Sequence, residues 1–256
     1  MESIIEFSNV TKAFNGFAVK DLSFQVKKGF VTGFVGANGA GKSTTIKLIM
    51  NLLQPDSGEI KVFGLDYKKH EKQIKENIGF VYDDHVFYEH LTLLEMKKVI
   101  APLYKRWDDS LFNAYVGKFQ LPLKKKLKTF SKGMLMKASL AIALSHHAEL
   151  IIMDEPTAGL DPVFRRELLA ILHELVQDGE KTIYVCEDCS DCNYKSKCIK
   201  GNNCKTPLEE RTKKFETSKK FNRQRKEDLE RIISDEGIFI IGINVMIIEL
   251  RKIISA

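Results

Sequence analysis

A chain of 256 residues, 44% apolar and 29% charged, is long enough to bury a sizeable core and has the composition of an ordinary globular protein. No stretch reaches the roughly 18–20 apolar residues that span a bilayer, since the best candidate, Ile238–Ile248, is short and carries Asn244. Met1–Phe7 has acidic residues where a signal peptide needs positive charge, so the expected location is the cytoplasm, with any membrane contact made through a partner.

Short β-branched runs alternate with helical patterns along the chain. Ile4–Val10 and Leu22–Val26 read as strands, and Phe30–Val35 reads as a buried strand entering a glycine-rich turn. Lys42–Leu53 follows as a helix with Ile46, Ile49 and Leu53 on one face. Glu59–Phe63 and Ile78–Tyr82 are further strands. Residues 92–145 are mostly helical, and Thr92 with Glu95 forms a capping box at the start of one helix. Leu150–Met153 is a buried strand. Asp161 caps a helix with Pro162 at its first position, with Leu168, Leu172 and Leu175 at helical spacing. Lys181–Val185 is the last strand. Strands that alternate with helices imply an α/β fold with a mainly parallel sheet covered on both faces.

Composition changes near residue 185. All five cysteines fall between Cys186 and Cys204, and residues 195–231 hold 13 Lys and Arg against 6 Asp and Glu. The expected organisation is a first domain over 1–185 and a distinct basic segment over 186–256. A single domain with a basic tail is the alternative.

The run Gly36, Ala37, Asn38, Gly39, Ala40, Gly41, Lys42, Ser43 fits the phosphate-loop pattern G-x-x-x-x-G-K-[ST] between a strand and a helix. The glycines let backbone N–H groups converge on phosphate oxygens without Cβ obstruction. The helix starting at Lys42 aims its positive dipole end at the same anion. Lys42 reaches the β- and γ-phosphates and the Ser43 hydroxyl ligates magnesium; Thr44, next in line, is counted among the nucleotide-binding residues. Leu150–Met153 then delivers Asp154 at the carboxyl edge of the sheet, where it holds magnesium, with Glu155 placed to polarise an attacking water.

Beyond these two motifs, residues 2–185 resemble the ATP-binding subunits of ABC transporters. Phe130-Ser131-Lys132-Gly133-Met134 is similar to the family's signature, usually Leu-Ser-Gly-Gly-Gln, and Asp154-Glu155-Pro156-Thr157-Ala158-Gly159-Leu160-Asp161 matches its Walker B and D-loop run. The resemblance implies a P-loop NTPase of the ABC type, with an N-terminal antiparallel β region, a mainly parallel core sheet and a helical subdomain over about 84–145. It places Phe14 where the family stacks an aromatic on adenine; an ordinary core aromatic is the alternative. It implies ATP and Mg2+ as cofactors and a head-to-tail dimer with a second nucleotide-binding domain, in which Ser131 and Gly133 donate to the γ-phosphate across the interface. A separately encoded transmembrane permease is the implied partner, holding the chain at the inner face of the cell membrane. Lys132 and Met134 occur in subfamilies serving exporters, so export is the expected direction. A nucleic-acid partner is not expected, because soluble ABC proteins of that class usually carry two nucleotide domains and this chain has one phosphate loop.

Two positions depart from the family. Asp83 stands where the family has Gln; a carboxylate still binds magnesium but cannot donate a hydrogen bond to water. Asp188 stands where the family has the His that contacts the γ-phosphate, and an anion there repels the phosphate, so ATP binding is expected to survive better than turnover. From Cys186 the chain resembles a cysteine cluster of DDE-type insertion-sequence transposases. The upstream catalytic aspartates of those enzymes are missing, so this reads as a remnant left by gene fusion or truncation. Cys186, Cys189, Cys192 and Cys198 have C-x2-C-x2-C-x5-C spacing, which suits zinc; an iron–sulfur cluster and four reduced thiols are the alternatives.

Overall fold

The computed structural model describes residues 2–36, 39–81, 87–158, 160–177, 179–188 and 245–250. An antiparallel sheet in the order β2-β1-β4 comprises β1 (Ser3–Phe14), β2 (Phe17–Lys27) and β4 (Ser57–Val62). A parallel sheet in the order β5-β6-β7-β3-β8 comprises β3 (Val31–Gly36), β5 (Ile78–Val81), β6 (Leu150–Asp154), β7 (Thr182–Asp188) and β8 (Val245–Leu250). The helices are α1 (Lys42–Ile49), α2 (Tyr67–Glu76), α3 (Leu93–Ile100), α4 (Asp109–Lys118), α5 (Lys132–Leu144) and α6 (Pro162–Val176). Among the described residues no helix is long and apolar enough to cross a membrane.

The near-continuous apolar runs of β6 and β7 are explained by burial on both faces, as a parallel sheet requires. Alternation along each strand divides them between two cores. Ile151, Met153, Ile183 and Val185 join the helices α3–α6 in one. Leu150, Ile152, Tyr184 and Cys186 join α1 and the antiparallel sheet in the other. Aromatic rings carry this second core from one sheet to the other: Phe7 stacks on Phe24 at 4.5 Å, Phe24 meets Phe34 at 5.4 Å, and Phe34 meets Tyr184 at 5.6 Å between centroids.

The capping expectations hold. Thr92 and Glu95 form the reciprocal box of α3, and Asp161 accepts from Val163 N and Phe164 N with Pro162 at the first position of α6. Four elements differ from expectation. Helix α1 stops at Ile49, four residues short of Leu53, because Asn51 takes a positive φ of 56° that ends the helical path. Helix α2 was not read from the sequence, since only Tyr67 and Ile74 are buried and the rest of its surface is polar. Strand β7 runs through Asp188, so the expected boundary at 185 falls inside a strand. Residues 245–250, within the expected separate segment, pair in parallel with β3 from Val31↔Val245 to Gly36↔Leu250.

Between β6 and the helical arm, His146 is 1% exposed, stacks on Tyr104 at 3.8 Å, and has its Nδ1 3.2 Å from the Glu76 carbonyl. Burial lowers its pKa to about 4. The unfolded chain therefore takes up a proton near pH 6.5 that the folded chain refuses until about pH 4. Stability is expected to fall as pH drops through this window. In urea denaturation at pH 7 and pH 5, His146→Gln should reduce that fall.

Candidate nucleotide site

Strand β3 ends at Gly36, beside β7, and the chain re-enters the described residues at Gly39; Ala37 and Asn38 lie outside them. Gly39 and Gly41 have φ of 77° and 95°, the left-handed region that a side chain resists. A Cβ on Gly41 would lie 2.9 Å from Val19 Cγ2 and 3.2 Å from Phe17 Cζ, so the tip of the β1–β2 hairpin presses on this loop. Gly41 is the N-cap of α1 and supplies no side-chain cap, and the first turn holds no acidic residue. The helix dipole favours negative charge at this end of α1. Ser43 is exposed and Thr44 half-buried on that first turn.

Lys42 is only 5% exposed, and its Nζ stands 3.6 Å from Glu155 Oε1. The two sequence motifs therefore meet in space. Asp154 closes β6 opposite Cys186 of β7. Glu155, the next residue, is held at φ 44° while its N–H donates to the Cys186 carbonyl at 2.9 Å. That backbone bond left no trace in the sequence, because any residue at 186 offers a carbonyl. Beneath the site Tyr184 is fully buried; desolvation first, then the neighbouring Cys186 and Asp154, push its phenol well above its usual range. Ser43 and Asp154 carry the kind of oxygen donor that a hard divalent cation takes.

Phe14 is 43% exposed, which removes the core-aromatic alternative. It pairs in register with Phe17, their rings 6.1 Å apart, and Lys12 Nζ lies 5.9 Å from its centroid. Phe17, its neighbour, is the ring that approaches the phosphate loop at Gly41. Ser131 is the exposed N-cap of α5, its Oγ accepting from Met134 N at 3.2 Å; Gly133, in the first turn, is seated against the Phe164 ring. These two residues belong to the helical arm, a different element from the loop that holds Lys42.

Asp188 pairs through its backbone with Gly36, the first residue of the phosphate-loop motif. Asp83, Cys189, Cys192 and Cys198 lie outside the described residues. Cys186 is 0% exposed in the interior of β7, where strand alternation turns it into the core with Tyr184, so a place in an open loop cluster is corrected. Among the described residues no group of three His, Cys, Asp or Glu is arranged to hold a metal ion, and zinc gains no support.

A family model described as ABC transporter matches residues 19–158, more than half of the chain. The chain belongs to the ABC transporter family. The bacitracin transport ATP-binding protein BcrA of Bacillus licheniformis is 38% identical over 190 residues, 72% of this chain and 61% of that protein. The linearmycin resistance ATP-binding protein LnrL of Bacillus subtilis is likewise 38% identical over 190 residues, 71% of this chain and 60% of that protein. The chain thus spans about 61% of the length of the first of these curated relatives. Among solved structures, the ATP-binding subunit of an ABC transporter superposes with a TM-score of 0.64 at 28% identity, covering 72% of this chain and 80% of that one. A bacterial ABC transporter cassette solved as a dimer shares the fold, with a TM-score of 0.62 at 24% identity over 72% of this chain and 87% of that one.

The loop geometry makes one outcome specific. Gly41→Ala forces a side chain into a positive-φ site and against Val19, so it should cost about 1–2 kcal/mol of stability. It should also weaken retention of magnesium-ATP at least about tenfold, because the amides it displaces are those aimed at the phosphates. Denaturation midpoints and equilibrium nucleotide binding measure the two effects separately.

Proposed function

We propose that the chain is the ATP-binding subunit of an ABC transporter that couples ATP binding and hydrolysis to transport through a separate membrane permease. The observation that carries this reading is the Lys42 ammonium 3.6 Å from the Glu155 carboxylate at an uncapped helix N-terminus. In this reading the amides of Gly36–Ser43 and the Lys42 ammonium grip the terminal phosphates, with Ala37, Asn38, Gly39, Ala40 and Thr44 lining the loop. Phe14 covers the adenine. Ser43, Asp154 and Asp83 hold Mg2+, which when bound neutralises charge on the phosphates. Glu155 orients the attacking water and accepts its proton.

A second nucleotide-binding domain completes the site. Ser131 and Gly133, at the start of α5, donate to the γ-phosphate held by the partner, using the same helix-terminus physics as α1. The solved dimer of a cassette with this fold supports that arrangement. Export is the favoured direction, because relatives named for bacitracin transport and linearmycin resistance stand at 38% identity. The chain then works at the inner face of the cell membrane, held there by the permease.

One observation favours a second reading, a chain that binds nucleotide but turns it over poorly. Asp188 closes β7 opposite Gly36. A carboxylate beside the γ-phosphate opposes the charge that builds in the transition state, where a neutral donor would stabilise it. On this reading residues 186–256 are a transposase-derived replacement of the original C-terminal end, and a zinc site on Cys189, Cys192 and Cys198 is not required.

ATP affinity and ATP turnover measured on one purified sample decide between the two. Lys42→Ala should lower magnesium-ATP retention at least about tenfold, and Glu155→Gln should spare binding while reducing turnover by about 10²–10³. Asp188→His should raise turnover by a comparable factor if the second reading holds. Retention untouched by Lys42→Ala would overturn the nucleotide site itself. Normal turnover that Asp188→His leaves unchanged would remove the second reading.

A further inference from the structure

The hairpin that carries Phe14 is held from outside by one carboxylate. Strand β4 pairs with β1 only as far as Ser57 opposite Thr11. Lys12, Ala13 and Phe14 therefore have β2 on one side and, among the described residues, no strand on the other. Asp56 takes the place of that strand. Its Oδ2 accepts from the Ala13 N–H at 2.8 Å, and its Oδ1 accepts from the Lys12 ammonium at 2.6 Å. The same ammonium lies 5.9 Å from the centroid of the Phe14 ring. One side chain thus fixes both the backbone that enters Phe14 and the cation beside its ring.

The carboxylate is itself placed by backbone. The Asp56 N–H donates to the Thr11 carbonyl at 2.8 Å. At Gly58, where φ is 85°, an added Cβ would collide with the carbonyl oxygens of Asn9 and Ser8. The start of β4 therefore presses on β1 with no room for a side chain, at the register shift between Ser8 and Thr11. This contact keeps Asp56 from sliding along β1. The Ala13 N–H first, and the Lys12 side chain next, hold the Asp56 carboxyl below its usual range, so it is ionised at neutral pH. An exposed ion pair alone holds weakly. Here the same carboxylate also accepts a main-chain N–H, and charge-assisted bonds of that kind are stronger than neutral ones.

We propose that Asp56 is a positioning residue for nucleotide recognition, setting the Phe14 ring for stacking against the base. The proposal rests on the reading of Phe14 as the adenine contact and deepens it. Phe14 is the last residue of β1 and 43% exposed, so core packing does little to order its ring. A base stacked on an aromatic side chain gains a factor of about 5–150 in affinity. A ring that must first be ordered forfeits part of that gain, and a ring ordered in advance keeps it. Asp56 belongs to the antiparallel sheet and not to the phosphate loop, so its effect should be confined to the base.

Equilibrium binding of magnesium-ATP and of magnesium tripolyphosphate, which has no base, separates the two halves of the ligand on the full-length protein. Phe14→Ala should weaken ATP at least about fivefold and leave tripolyphosphate unchanged. Asp56→Ala should weaken ATP at least about threefold, again with tripolyphosphate unchanged, which also checks the fold. Asp56→Asn keeps an acceptor for the Ala13 N–H without the charge, and should lose less than Asp56→Ala. Added to Phe14→Ala, Asp56→Ala should cost nothing further, because no ring is left to position. ATP binding that Phe14→Ala weakens and Asp56→Ala leaves untouched overturns the proposal while the adenine reading stands. An equal loss for ATP and tripolyphosphate, or a full additional loss in the Phe14→Ala background, overturns it too, since the effect then lies outside the ring. ATP binding indifferent to Phe14→Ala overturns the adenine reading, and the proposal with it.

Discussion

Lys42 and Glu155 come within 3.6 Å because β3 and β6 are parallel strands of one sheet and deliver their following residues at the same edge. An ammonium this deeply buried needs a compensating charge, since an isolated one is costly to remove from water. The fold provides an adjacent carboxylate, while the positive end of α1 at the same place adds to the need for an anion. It accepts backbone strain to do so: a non-glycine residue at φ 44° costs on the order of 1–3 kcal/mol, and Glu155 stays there because its N–H is tied to β7. Strand β7 thereby touches three parts of the site at once, bonding Glu155, facing Asp154, and ending beside Gly36.

This dependence on β7 gives the end of the strand more weight than its length suggests. The strand keeps its pairing with β3 through Asp188. The backbone frame of the site therefore extends to the end of β7. Strand β8 adds a second neighbour for β3, with an apolar run from Val245 to Ile248 suited to a parallel sheet. A strand can be recruited on pattern alone, because ladder hydrogen bonds use the backbone and ask only for compatible side chains on the two faces.

The helical arm follows a different logic. Its inner face is apolar and continuous with the core through Met136, Leu140 and Leu144. Its outer face is basic, and its helix starts are fixed by side-chain caps at Thr92, Asp108 and Ser131. Ser131 shows how a structural and a functional demand coincide: the hydroxyl that caps α5 by accepting from Met134 N still has its own proton to give.

The sequence alone was enough to locate the phosphate loop, the Asp154-Glu155 pair, the caps at Thr92 and Asp161, and the alternation of strands with helices. Each of these is local: a cap, a glycine needed at positive φ, or an apolar run is legible over a few residues. All the strands except β8 were found one by one, but their order was not, because pairing depends on which faces bury each other. Helix α2 escaped notice because its buried face is two residues wide, and β8 because nothing local distinguishes an apolar run in a sheet from one elsewhere. Only the tertiary structure decided that Phe14 is exposed, that Cys186 is buried in the core instead of standing in a loop, and that a carbonyl at 186 steadies Glu155. These facts arise from contacts between residues far apart in the chain, and no spacing within one segment encodes them.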